Sequence, residues 1–274
     1  FFIFNMVLPN ETSINDIYGK IIDLKFPIRT FKENICKQAG KLIKLTSELL
    51  DKMKAKFQTT PVKFHYNFNM RELSRTFQGI FKGDPTSLLK SNEYFKIDPE
   101  VYIMLLWKHE ATRVFCDKLR DVNDINNCKA LIDEILADKM PSQMDILSKE
   151  YLFCDYLRPS TEEELYPKVY ELVKNIDDLR RTSEEFQAQL NLNTKLKGVN
   201  LVLFDDCLKY LIKLTRIFMT KQGSVMLVGV GGSGKQSLTR LASFICQHSV
   251  KQLNANNADN VDNLKALYRE MYND

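Results

Sequence analysis

The stretch Gly229 to Ser237, GVGGSGKQS, sets four glycines within six positions and follows them at once with a lysine. It lies between an apolar run of strand type, Ser224 to Val228, and a return to helical periodicity over QSLTRLASFICQH. That context makes GxxxxGK a phosphate-loop signal rather than a chance string. A tight turn with no ligand needs only one or two glycines. The expected local fold is therefore strand, loop, helix, the opening of a parallel-sheet nucleotide-binding domain of the α/β class.

The residue types explain the chemistry. Gly229, Gly231, Gly232 and Gly234 let the backbone take positive φ, so that successive N–H groups, with those of Val230 and Ser233, turn inward around the α and β phosphates of ATP or ADP. Lys235 is placed to reach the β and γ oxygens, and the N-terminus of the following helix adds partial positive charge. One position departs from the usual loop. Where a hydroxyl normally ligates Mg²⁺, the chain has Gln236, whose carbonyl oxygen is an alternative ligand on a longer arm. Ser237 does not substitute, because one helical step rotates its side chain by about 100°. The expectation is nucleotide binding with weakened Mg²⁺ dependence and slow or absent turnover. Residues 238–274 contain no apolar strand ending in Asp-Glu, the acids that complete a hydrolytic site.

Most of the remaining chain reads as helix. An apolar start, FFIFNMVLP, predicts a short buried strand, and a helix follows with its cap near Thr12 or Ser13 and with Ile14, Ile17, Ile21 and Ile22 on one side. Leu42, Leu45, Leu49 and Met53 recur at helical spacing, with lysines filling the other face. Asn69 is positioned to cap a helix carrying Arg71, Leu73, Arg75 and Phe77, ended by Gly83-Asp84-Pro85. Another helix follows Pro99 and buries Val101, Met104, Leu105, His109 and Val114. Pro141, Pro159, Ser160 and Thr161 mark a hinge. Beyond it, Leu165, Val169, Leu172, Ile176, Leu179, Ser183, Phe186 and Leu190 form a flawed heptad pattern, read either as an internal helix or as a partner helix. Leu208, Leu211, Thr215 and Phe218 share the face of an amphipathic helix that starts at Asp205 and Asp206, where the helix dipole favours acids.

Composition removes several classes. The 274 residues are 44% hydrophobic, enough for real cores, and the +4 balance of interspersed charges leaves no footprint for nucleic acid or an anionic membrane. No apolar run approaches the roughly 18 residues that span a bilayer. The six cysteines, Cys36, Cys116, Cys128, Cys154, Cys207 and Cys246, are far apart and expected to be buried, reduced thiols. His65, His109 and His248 are isolated and read as structural, so no zinc site is expected. The start inside an apolar run and the end just after a helical pattern suggest a chain cut from something longer.

The wording of these segments resembles one family. LVLFDDCL, followed about twenty residues later by GSVMLVGVGGSGKQSLTRLASFI, is similar to the start of the fourth AAA+ module of axonemal dynein heavy chains, where GVGGSGKQSL with its Gln is habitual. FFIFNMVLPNETSINDIYGKI, PVKFHYNFNMRELSRTFQGIF and LLWKHEATRVFCDKL resemble the closing part of the third module, in the expected order and nearest to outer-arm chains. The resemblance covers nearly all of the chain and is weakest over 246–274, which lacks the strand expected after the first helix. It implies a predominantly helical AAA+ fragment: residues 1–30 finishing the large subdomain of module three, 31–150 its all-α lid, 151–200 a connector with an amphipathic helix, and 201–274 the start of module four. It implies that Arg71, or secondly Arg75, acts as a sensor-II contact to the γ phosphate of the module-three nucleotide, although by composition each is a surface salt-bridge partner. It places Val202, Leu203 and Phe204 against the adenine of module four.

The family further implies an arginine finger before Phe1 and a microtubule-binding stalk after residue 274. Microtubules would be reached only through those other parts, and the heptads at 165–190 are not that stalk. Neighbouring AAA+ modules and the dynein intermediate and light chains would be partners, in the axoneme of a cilium. The site would regulate ring packing while the main hydrolysis happens in another module. Two other readings stay open: a free-standing P-loop ATPase or kinase, and a non-catalytic helical interaction module whose glycine loop is only a turn. Cut through a parallel sheet, the piece is expected to be poorly soluble alone.

Overall fold

The structure is a computed structural model and describes residues 2–4, 9–158, 167–193, 197–252 and 261–273. The chain divides into two compact units, Phe1–Asn175 and Ile176–Asp274.

The first unit is helical. Helix α1 spans Glu11–Lys25, α2 Glu33–Lys56, α3 Met70–Ile80, α4 Pro85–Leu89, α5 Ser91–Phe95, α6 Pro99–Ala111, α7 Val122–Lys139 and α8 Met144–Leu147. A π-helical turn, Thr112–Cys116, continues α6, and Pro141–Gln143 forms a single 3-10 turn. Helices α4, α5 and α8 were not expected: at four or five residues they are too short to show a period. The centre is α6, where Val101 to Trp107 are all buried. A helix that is apolar all round must be surrounded, and α2, α3 and the π turn pack against it. The long α2 seals Leu42, Leu45, Leu49 and Met53 as its spacing predicts. The α6 indole is satisfied in the core by Trp107 Nε1 donating to Thr46 Oγ1 at 2.9 Å.

The start of the chain differs from the reading. Phe2, Ile3 and Phe4 are exposed and belong to no strand, because none lies beside them among the described residues; residues 5–8 fall outside those described. The cap of α1 is Asn10, whose side chain accepts from the Ser13 N–H at 2.9 Å. Ile14 and Ile22 are buried, but Ile17 and Ile21 are not. The buried ridge instead follows steps of four through Ile14, Tyr18, Ile22 and Phe26. Tyr18 supplies the missing contact, stacking on Phe77 with ring centroids 5.0 Å apart and bonding Ser74 through its hydroxyl.

Two further expectations are corrected. Cys116, in the π turn, and Cys128, on α7, form a disulfide, their Cα atoms 5.8 Å apart within the range that a bridge requires. Among the described residues, Cys36, Cys154, Cys207 and Cys246 take no part in a disulfide. The heptad pattern is not one helix either. Leu172 lies in a two-residue strand, β2 (Glu171–Leu172), paired antiparallel with β1 (Phe153–Cys154), and helix begins only at Ile176. Leu165 and the hinge residues Pro159, Ser160 and Thr161 fall outside the described residues. His109 is structural, its Nδ1 3.2 Å from the Tyr151 carbonyl and its ring beside Phe153.

In the second unit, α9 (Ile176–Leu192), α10 (Asp205–Phe218) and α11 (Lys235–Ile245) pack against one another, and α12 spans Val261–Asn273. Helix α9 buries Leu179, Ser183, Phe186 and Leu190. The serine is tolerated there because its hydroxyl donates to the Leu179 carbonyl one turn back, at 2.7 Å. Helix α10 buries Leu208, Leu211 and Thr215 as expected, while Phe218, the fourth residue of that face, is only half-buried. Residues 224–228 are not in a strand, and Met226 and Val228 are exposed. An apolar run of this type is suited to a sheet centre; no strand stands beside it among the described residues, so the ladder that defines a strand is not formed.

Candidate nucleotide site

The loop after residue 228 uses positive φ at two of its four glycines, and Gly229 and Gly231 do not adopt it. Gly232 and Gly234 both adopt φ of 77°, in the left-handed region that a side chain disfavours. Nothing lies within 4 Å of where a Cβ on Gly231 or Gly232 would stand, so the space beside these two glycines is open. Gly234 is also the residue before α11. It has no side chain with which to cap the helix, and the first turn of α11 carries no acid. The amide groups at that end are thus free of side-chain acceptors, with the dipole's positive end facing the loop.

Lys235 folds back over this loop. Its Nζ donates to the carbonyl of Gly229 at 2.8 Å, to that of Val230 at 2.7 Å and to Ser233 Oγ at 3.1 Å. All three ammonium protons have acceptors within the loop, which places the charge where phosphate oxygens would compete for it. Gln236 is exposed in the first turn of α11, and Ser237 is half-buried. The loop fits the phosphates of a nucleotide. The fit to Mg²⁺ is weaker, since the position after the lysine offers an amide oxygen where a compact hydroxyl would be usual. Among the described residues no cluster of three metal-ligating side chains occurs.

Beside the loop is an open groove of about 750 Å³, lined by Arg180, Glu184, Gln187 and the run from Leu201 to Asp206. Leu201 joins it to the loop: its Cδ2 is 3.6 Å from where a Cβ on Gly234 would lie. The three residues expected at the base divide here. Val202 and Phe204 are 83% and 58% exposed, whereas Leu203 is 4% exposed, and all three line the groove. Inspection for apolar periodicity missed Arg180, Gln187 and Asn191, polar residues of α9 that bond to this segment. Their spacing of seven and four was the available signal.

Arg71 and Arg75 belong to the first unit. Asn69 caps α3 by accepting from the Arg71 N–H at 2.8 Å, and Glu72 closes a capping box by accepting from the Asn69 N–H at 2.8 Å. Both arginine side chains are exposed, Arg75 standing 3.9 Å from Glu72. Glu72 is buried. Burial alone would push its carboxyl up, but the Lys118 ammonium at 2.9 Å and the Asn69 N–H outweigh it and hold it below the usual range.

No helix among the described residues is long and apolar enough to cross a membrane. Residues 199–274 match the family described as P-loop containing dynein motor region D4, and residues 42–153 match the AAA+ lid domain. Over 98% of its length the chain is 34% identical to the dynein gamma chain of the flagellar outer arm of Chlamydomonas reinhardtii. It is 36% identical to dynein axonemal heavy chain 8 of Homo sapiens and 35% identical to dynein axonemal heavy chain 5 of Mus musculus, each over 98% of its length. The chain spans about 6% of the length of these relatives. With an AAA+ lid match followed by a P-loop dynein motor match, and with 34–36% identity over nearly its whole length, the chain belongs to the axonemal dynein heavy-chain family.

Proposed function

We propose that this segment binds ATP or ADP at residues 229–237 and serves a dynein motor ring as a regulatory nucleotide site. The observation that carries the reading is the loop itself, with Gly232 and Gly234 at positive φ and the Lys235 ammonium gathered against the carbonyls of Gly229 and Val230. Residues 1–30 then end the large part of module three, 31–150 form its lid, 151–200 connect, and 201–274 open module four; the lid and D4 matches support that division. Arg71, with Arg75 as the second choice, reads the module-three nucleotide, while Val202, Leu203 and Phe204 receive the base in module four. Mg²⁺, when bound with the nucleotide, would neutralise phosphate charge, with Gln236 as its protein ligand.

The regulatory role rests on Gln236, which stands where a hydroxyl usually ligates Mg²⁺. A site that binds nucleotide with slow turnover acts through the difference in affinity between ring conformations. Its occupancy biases how neighbouring AAA+ modules pack, and microtubule movement in the axoneme arises from the whole heavy chain with its intermediate and light chains. Titration of the chain with a fluorescent ADP analogue tests the binding claim. Saturable binding displaced by ATP is expected; no saturable binding overturns it.

A further inference from the structure

One stripe of α9 is bonded to the main chain of the segment beside it. Arg180 Nε donates to the Leu203 carbonyl at 3.1 Å, Gln187 Nε2 to that of Leu201 at 3.3 Å, and Asn191 Nδ2 to that of Val199 at 2.9 Å. The Val199 N–H returns to Asn191 Oδ1 at 2.8 Å. The acceptors step by two residues while the helix positions step by four and seven, and the chains run in opposite senses. Four helical residues rise about 6 Å and two extended residues about 6.6 Å, so the two periods keep register between Asn191 and Gln187. The longer Arg180 side chain covers the remaining gap, and it also pairs with Asp205 at the start of α10.

This ladder holds the main chain of the segment that lines the groove. Leu203 is buried and Val202 and Phe204 are exposed. Gln187 lines the groove, and its Oε1 is buried with no hydrogen-bond partner. An amide used only as a brace would bond at both ends.

We propose that α9 is the back wall of the base end of the nucleotide site, with Arg180, Gln187 and Asn191 as positioning residues that set its affinity for a base-carrying ligand. This rests on the nucleotide reading of the loop. Arg180, Gln187 and Asn191 bond the main chain of the base segment rather than that of the phosphate loop, so their loss separates ligands that carry a base from ligands that are phosphate alone.

The full 274-residue chain and its Gln187→Leu, Asn191→Ala and Arg180→Ala variants are titrated with ADP and with inorganic tripolyphosphate, and each is checked for an intact thermal transition. Each lost bond is expected to weaken ADP about three- to tenfold while tripolyphosphate changes by less than about twofold. Asn191→Asp keeps the acceptor for the Val199 N–H and recovers part of the loss. Should Arg180→Ala unfold, Arg180→Lys keeps the Asp205 charge pair without the guanidinium fork and takes its place. Equal losses for both ligands, or no loss for ADP, overturn the back wall and leave nucleotide binding standing. A parent chain that binds neither ligand overturns the nucleotide reading itself, and the back wall with it.

Discussion

Gly79 on α3 meets Glu110 on α6 so closely that a Cβ at position 79 would lie 1.7 Å from Glu110 Oε2. Glu110 is fully buried and accepts a hydrogen bond from the Tyr170 hydroxyl, so the carboxylate has little freedom to yield. The absence of a side chain at Gly79 is what lets the two helices approach. Gly79→Ala is therefore expected to destabilise the first unit by about 1–3 kcal/mol, as overpacking does. Combining it with Glu110→Ala should cost less than the sum of the single changes, since the second removes the atoms the methyl would meet. Chemical denaturation of the three variants measures this; strict additivity would refute the contact.

Trp107 is the sole tryptophan, so its fluorescence reports directly on the α2–α6 core. Thr46→Val keeps the shape of its partner and removes the acceptor for the indole N–H. An unsatisfied buried donor costs about 1–3 kcal/mol. The urea midpoint followed by this fluorescence is expected to fall accordingly, and an unchanged midpoint would show that the bond contributes nothing.

Acid should loosen the first unit through Glu72. Its folded pKa lies below its unfolded value because Lys118 and the Asn69 N–H together outweigh burial. The stabilisation is therefore complete above the unfolded pKa and is lost as pH falls through the folded one. Glu72→Gln should flatten that acid limb, with lower stability at neutral pH, in thermal melts taken across pH 3 to 7. An acid limb as steep as that of the parent would place the responsible carboxyl elsewhere.

Legibility in the sequence followed the range of the interaction. Leu42, Leu45, Leu49 and Met53 are buried as their spacing says, and Asn69 caps α3, because both depend on neighbours within a turn or two. The same rules misplaced Ile17 and Ile21, because an amphipathic Tyr18 took a core position that apolar counting gave to isoleucine. The Cys116–Cys128 bridge depends on how α7 packs against the π turn, which no local pattern encodes. At the candidate site, the phosphate loop announced itself through composition. The α9 ladder did not, because its acceptors are carbonyl oxygens that every residue carries.

Gln236 should make the site tolerant of metal removal. Chelating Mg²⁺ is expected to change the parent's ADP affinity only slightly, whereas Gln236→Ser supplies the compact oxygen that the cation favours and should bring a sharper Mg²⁺ requirement for ATP. A magnesium titration of fluorescent-nucleotide binding compares the two. A steep requirement in the parent, abolished by Gln236→Ala, would show that the amide already serves as a full ligand.

Calorimetric titration of ADP into the chain and into Lys235→Ala decides whether the glycine loop is a nucleotide site. The ammonium's three hydrogen bonds lie inside the loop, so its loss removes the charge opposite the phosphates while leaving the helices of the second unit intact. Saturable, one-to-one binding by the parent and its loss in a folded Lys235→Ala are the predicted result. Equal binding by both proteins, or none by either, would contradict the account and reduce the loop to a turn between two packed elements.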